Sequence, residues 1–79
     1  MIVVEDRIKN VMSKVFGVPV EAIGRSASNE TIERWDSLGH MNLCLALEDE
    51  FSVELDGERV ASMTDFGDVL EAVVTALGK

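Results

Sequence analysis

The sequence predicts an all-α fold, a small four-helix bundle of three longer helices and one short one. Apolar residues recur at spacings of three and four, no window shows the strict alternation of a half-buried strand, and helix-starting residues precede the later runs. The first helix is read over Val4–Phe16, with Val4, Ile8, Val11, Met12 and Val15 on one face; Gly17 and Pro19 end it. A long connection rich in Gly, Ser and Asn follows, pinned to the core in this reading by Val18, Val20 and Ile23. Such a stretch points to a functional or mobile segment. The second helix runs from Asp36 or Ser37 to Phe51, and a short helical turn near Glu58–Met63 follows Asp56-Gly57. Thr64 or Asp65 opens the last helix, which turns Phe66, Val69, Leu70, Val73, Val74 and Leu77 inward before Gly78 closes it.

The 79 residues form one domain in this reading, spanning 1–79. A chain this short buries roughly 60% of the surface it exposes when unfolded, which leaves little room for an enclosed catalytic cleft. Hydrophobic residues at 47% and charged residues at 28% describe a globular chain rather than a disordered one. Cys44 is the single cysteine, so no internal disulfide is possible, and no Cys or His cluster offers a metal set. The opening "MIVVEDRIKN" turns charged at Glu5, too soon for a signal peptide, and no apolar run approaches spanning length. A monomer in a reducing cytoplasm, with no membrane partner, is expected.

The charge is segregated. Acids and bases balance from Met1 to Trp35, whereas Asp36 to Glu58 holds seven acids and no Lys or Arg, so nearly all of the net −8 lies there. Nucleic acid is excluded as a partner because phosphate binding needs the opposite sign. A basic protein surface fits. Solubility alone would explain the net charge, but not its placement.

The second helix carries two apolar series on different sides. Leu43, Leu47 and Phe51, flanked by Cys44, form one, and Phe51, the largest apolar group available, assigns it to the core. Leu38, Met41 and Leu45 form the other, starting beside Ser37 and ending among Glu48 and Asp49. A small bundle can hardly bury both sides of one helix, so the second series reads as an exposed docking strip with an acidic rim. Burial of both series to different degrees is the plainer alternative.

Three roles compete for Ser37. As a helix cap it has a rival in Asp36, an equally good or better one. As a nucleophile it lacks a Gly-x-Ser-x-Gly elbow, and His40, the only histidine, lies within the same helical turn, with no separate group to orient it. As an acceptor of a covalent phosphoester it is well placed, because free N–H groups and the positive end of the helix dipole favour an attached phosphate.

"DSL" at Asp36–Leu38, "ALEDEF" at Ala46–Phe51 and "GVPVEAI" at Gly17–Ile23 resemble the acyl carrier protein family, and the match extends over essentially the whole chain. The resemblance implies a four-helix carrier, not an enzyme. A phosphopantetheinyl transferase, aided by magnesium, would move 4′-phosphopantetheine from coenzyme A to Ser37, and the terminal thiol would hold acyl groups as thioesters. It also implies that Asp36 contacts the transferase. Leu38, Met41 and Leu45 would then give docking area, with Glu48 and Asp49 steering the basic surfaces of acyl-activating, acyltransferase or synthase partners.

Two places depart from the commonest family pattern. Trp35 stands where the fatty-acid carriers have a small residue, and Gly39-His40 replaces a polar or acidic pair. "WDSLGHM" is similar to freestanding carriers of specialised pathways, secondary-metabolic or surface-polymer, beside fatty-acid or polyketide synthesis. The Gly-Gly-His that precedes the serine of peptidyl carriers is missing. His40 is expected at a helix surface or boundary; Trp35 is either an anchor over the long loop or a partner contact. The rival function class is an unmodified acidic interaction module that binds a basic or amphipathic partner, with Ser37 only a cap.

Overall fold

The computed structural model describes residues 4–24 and 26–78. Along them run α1 (Val4–Phe16), a single 3-10 turn (Val20–Ala22), α2 (Ser37–Phe51), α3 (Gly57–Ser62) and α4 (Phe66–Leu77). No strand occurs among the described residues, only an isolated bridge between Ser28 and Asp65. The all-α bundle of three longer helices and one short helix is therefore observed.

Ile8, Met12 and Phe16 stand one turn apart on α1 and are buried together with Val11. Leu43, Leu47 and Phe51 of α2 and Phe66, Val69 and Val73 of α4 complete the same core, and no charged or polar residue is buried among the described ones. Gly17 ends α1 with φ of 67°, a left-handed conformation that a side chain would strain. The chain reversal lets the N–H groups of Gly17 and Val18 both reach the Ser13 carbonyl, at 2.9 and 3.3 Å. At the far end of α2, Arg7 crosses from α1. Its guanidinium donates to the Glu50 carboxylate at 3.0 Å and the Glu50 carbonyl at 2.9 Å, and lies 4.3 Å from the Phe51 ring centre. One otherwise unpaired helix-end carbonyl is satisfied in this way, and the two helices are fixed against each other.

The long connection is a packed strap rather than a loose segment. Ile23, Ala27, Ile32 and Trp35 are buried, and Val18 packs half-buried against the core. Val20, expected to pin the strap, is only half-buried in its 3-10 turn and does not join the core cluster, whereas Ile23 just after the turn does. The backbone is tied near its middle to the start of α4: Phe66 N–H donates to the Ala27 carbonyl at 2.8 Å, and Asn29 N–H to the Thr64 carbonyl at 2.9 Å. These pairings satisfy backbone groups that neither helix nor sheet would otherwise satisfy.

Aspartates start three of the helices. Asp36, Asp56 and Asp65 each accept, at 2.8 Å, an N–H from three residues on, in α2, α3 and α4 respectively. Thr64 instead sends its N–H and hydroxyl to Asp68 Oδ2, at 3.3 and 3.2 Å, so Asp65 is the cap of α4 and Thr64 closes the turn around it. The inward face of α4 also differs from the expected one. Ala72 is buried, while Val74 and Leu77 are exposed. The buried arc is centred on Val69 and Val73, which leaves Val74 to one side; Leu77, a turn further on, lies where the helix ends in solvent beside Gly78.

Gly39 in the first turn of α2 is required by a close approach. A Cβ there would run into the carbonyl oxygen of Arg34, the residue before Trp35. Helix propensity would favour alanine by about 1 kcal/mol, but forcing a carbon into packed backbone costs about 1–3 kcal/mol. Gly39→Ala is expected to melt several degrees below the parent in a thermal scan; an equal or higher midpoint would show that the Arg34 carbonyl yields freely.

Candidate functional site

Ser37 is the first residue of α2 and is exposed. Asp36 Oδ1 takes the Gly39 N–H at 2.8 Å and the Asp36 carbonyl takes the His40 N–H at 2.7 Å, so the capping role belongs to Asp36. Among the described residues nothing hydrogen-bonds the Ser37 hydroxyl, and the N–H groups of Ser37 and Leu38 have no acceptor. A free hydroxyl therefore sits beside two free donors at the positive end of a fifteen-residue helix.

Trp35 fixes where that hydroxyl lies. Its ring is buried and stacks on Phe16, with centroids 5.4 Å apart. Because an indole N–H can only donate, the 2.9 Å contact from Trp35 Nε1 to His40 Nδ1 makes Nδ1 the acceptor. The imidazole proton is then on Nε2, which donates to the Val60 carbonyl of α3 at 2.6 Å. Loop, α2 and α3 are thereby joined through one side chain. His40 is half-buried at the boundary between α2 and α3, and Trp35 is the anchor of the strap rather than an exposed contact. Cys44, one turn beyond His40, is buried with its Sγ 3.9 Å from His40 Nε2; burial first, and the Glu48 charge second, push its thiol up, which disfavours the thiolate.

An open cleft of about 480 Å³ adjoins Ser37, lined by Trp35, Val60 and Met63 together with the polar His40, Asn29 and Thr64. On another side of α2, Leu38, Met41 and Leu45 are 69%, 61% and 60% exposed, and Asp49 continues their line one turn beyond Leu45. The two apolar series of this helix are thus fully separated, with Leu43, Leu47, Phe51 and Cys44 inside.

The acids of this block differ in what they do. Glu48 is half-buried and its carboxylate accepts the Leu55 N–H at 2.8 Å, bracing the turn that leads to α3. Glu50 is held by Arg7. Asp49, Glu54 and Glu58 are exposed with no hydrogen-bond or ion-pair partner among the described residues. The structure therefore places Asp36, Ser37, Leu38, Met41, Leu45 and Asp49 on accessible surface, and shows in Glu48 a group already engaged within the chain.

Asn29, Val60, Met63 and Thr64 escaped the sequence reading, because residues from the strap and α3 meet Ser37 only through the fold. One signal was present: a buried tryptophan needs an acceptor for its N–H, and His40 stands one turn into the following helix.

No protein-family model matches the sequence. Acyl carrier protein 3 of Ralstonia nicotianae is 30% identical over 72 residues, which are 91% of this chain and 83% of that protein. The solution NMR structure of a holo acyl carrier protein from Geobacter metallireducens matches with a TM-score of 0.83 and 27% identity, over 94% of this chain and 85% of that one. A free serine at the head of a capped acidic helix, in a bundle shared over nearly its whole length with these proteins, places the chain in the acyl carrier protein family.

Proposed function

We propose that this protein carries acyl groups as thioesters on a 4′-phosphopantetheine arm esterified to Ser37. The observation that carries the reading is the Ser37 hydroxyl itself, exposed and unpaired beside two free helix N–H groups while Asp36 does the capping. Those donors and the helix dipole suit a phosphodiester at that oxygen, and the adjoining cleft has room for part of an arm. When bound, the arm supplies a terminal thiol on which an acyl group is held. Ser37 Oγ forms the new bond to the pantetheine-side phosphorus of coenzyme A, the bond from that phosphorus to the nucleotide phosphate breaks, and the serine proton passes to the transferase. Base and magnesium belong to the transferase, so the carrier presents an oxygen and does not itself catalyse.

Docking is read from the same helix. Leu38, Met41 and Leu45 offer apolar area, Asp36 stands beside the acceptor, and Asp49 supplies an exposed charge on the same line. Glu48 adds its field, although its carboxylate is also committed to Leu55. Partners would be the transferase and the synthase or acyltransferase enzymes of one pathway, meeting a monomeric carrier in the cytoplasm. A tether raises the local concentration of cargo at each of them without tight binding.

Incubation with coenzyme A, magnesium and a broad-specificity phosphopantetheinyl transferase is expected to raise the intact mass by one phosphopantetheine, and the gain should vanish in Ser37→Ala. An unchanged mass would favour the unmodified interaction module. Asp49→Lys is expected to slow association with the transferase severalfold at low salt and to flatten its dependence on ionic strength, as read by stopped flow. Identical rates at every salt concentration would remove Asp49 from the docking surface.

A further inference from the structure

Trp35 and His40, both departures from the family pattern near Ser37, form one device. Trp35, His40 and Val60 all line the cleft beside the serine, Trp35 buried and His40 and Val60 half-buried, so they stand between the cleft and the bundle interior. His40 Nε2 donates to the Val60 carbonyl at 2.6 Å, which ties α2 to α3, and His40 is held in place by the Trp35 indole at 2.9 Å. Behind the indole stands Phe16, its ring centre 5.4 Å away. We infer that the Trp35–His40–Val60 bridge is a closed bolt beneath the site, so that cargo on Ser37 stays in the outer cleft and the protein serves short or polar acyl groups. The inference rests on the carrier reading and adds the class of cargo to it.

Magnitudes decide the matter. Each methylene taken out of water favours burial roughly fourfold, so a long tail would gain by entering the core. Entry through the wall that Trp35 forms, buried against Phe16, requires displacing that ring. A ring of that kind buries roughly 150–250 Å², which would return to water as the tail replaced it. Apolar area is exchanged for apolar area, and the two hydrogen bonds of the bridge are lost as well. The exchange runs against entry. In the cleft, by contrast, Asn29, Asp36 and Thr64 line the same space as Val60 and Ala61, so a group held there meets polar partners as well as apolar surface.

The test loads the full chain with acetyl- and octanoyl-phosphopantetheine from the corresponding coenzyme A thioesters, checks the intact mass, and records methyl NMR spectra and melting midpoints. The expected result is full loading with identical Leu47, Val69 and Val73 methyl signals and equal midpoints for the two cargoes, changes being confined to Val60, Ala61 and Met63. Core signals or midpoints that move with chain length in the loaded parent would overturn the bolt while leaving the carrier reading intact. Failure to gain mass would overturn the carrier reading and this inference with it. In Trp35→Ala, and in His40→Ala should the first variant not fold, the octanoyl but not the acetyl form is expected to shift the core methyls. Length-independent core signals in the folded variant would show that the bridge is not what excludes the tail, and would overturn the proposal.

Discussion

The hydrogen-bonded line from the Trp35 indole through His40 to the Val60 carbonyl is the constraint on which the rest of the site depends. It solves a local problem first, since a buried indole N–H and a half-buried imidazole would each be costly unpaired. By solving it across three segments, the line also sets the geometry around Ser37. Trp35 is drawn inward against Phe16, the chain turns at Asp36, and the next residue is delivered to the outside at the start of α2. Gly39 belongs to the same arrangement, because only a residue without a side chain lets the Arg34 carbonyl come so close to the first helical turn.

Division of labour among neighbouring polar residues is the second theme. Asp36 holds the helix start, which leaves the Ser37 hydroxyl free. Glu48 and Glu50 look alike in the sequence as parts of an acidic run, yet one braces the Leu55 backbone and the other receives Arg7, while Asp49 between them faces solvent. Local negative charge is therefore partly architectural. The part that is free to act on a partner is narrower than a count of acids suggests, and it lies in line with the exposed leucines and methionine of α2.

Much of this was legible in the sequence. The bounds of α1 and α2, the burial of Leu43, Leu47 and Phe51, and the exposure of Leu38, Met41 and Leu45 follow from periodicity, because one helix in a small bundle has only one side to bury. Asp36 as the cap followed from side-chain chemistry. Periodicity was less informative where tertiary neighbours decide. Leu77 has the right phase for the core but falls past the end of the packed part of α4, and Val20 is apolar yet sits in a turn whose neighbour Ile23 takes the buried place. The cleft could not be read at all from local pattern, since Asn29, Val60 and Ser37 come together only when strap, α3 and α2 are folded.

The site depends on the state of one imidazole, and long-range proton–nitrogen NMR of the His40 ring reads it directly. The structure predicts a proton on Nε2, an unprotonated Nδ1 coupled to the Trp35 indole, and an indole N–H that exchanges slowly with solvent. A proton on Nδ1, or an indole that exchanges as fast as one free in water, would contradict it.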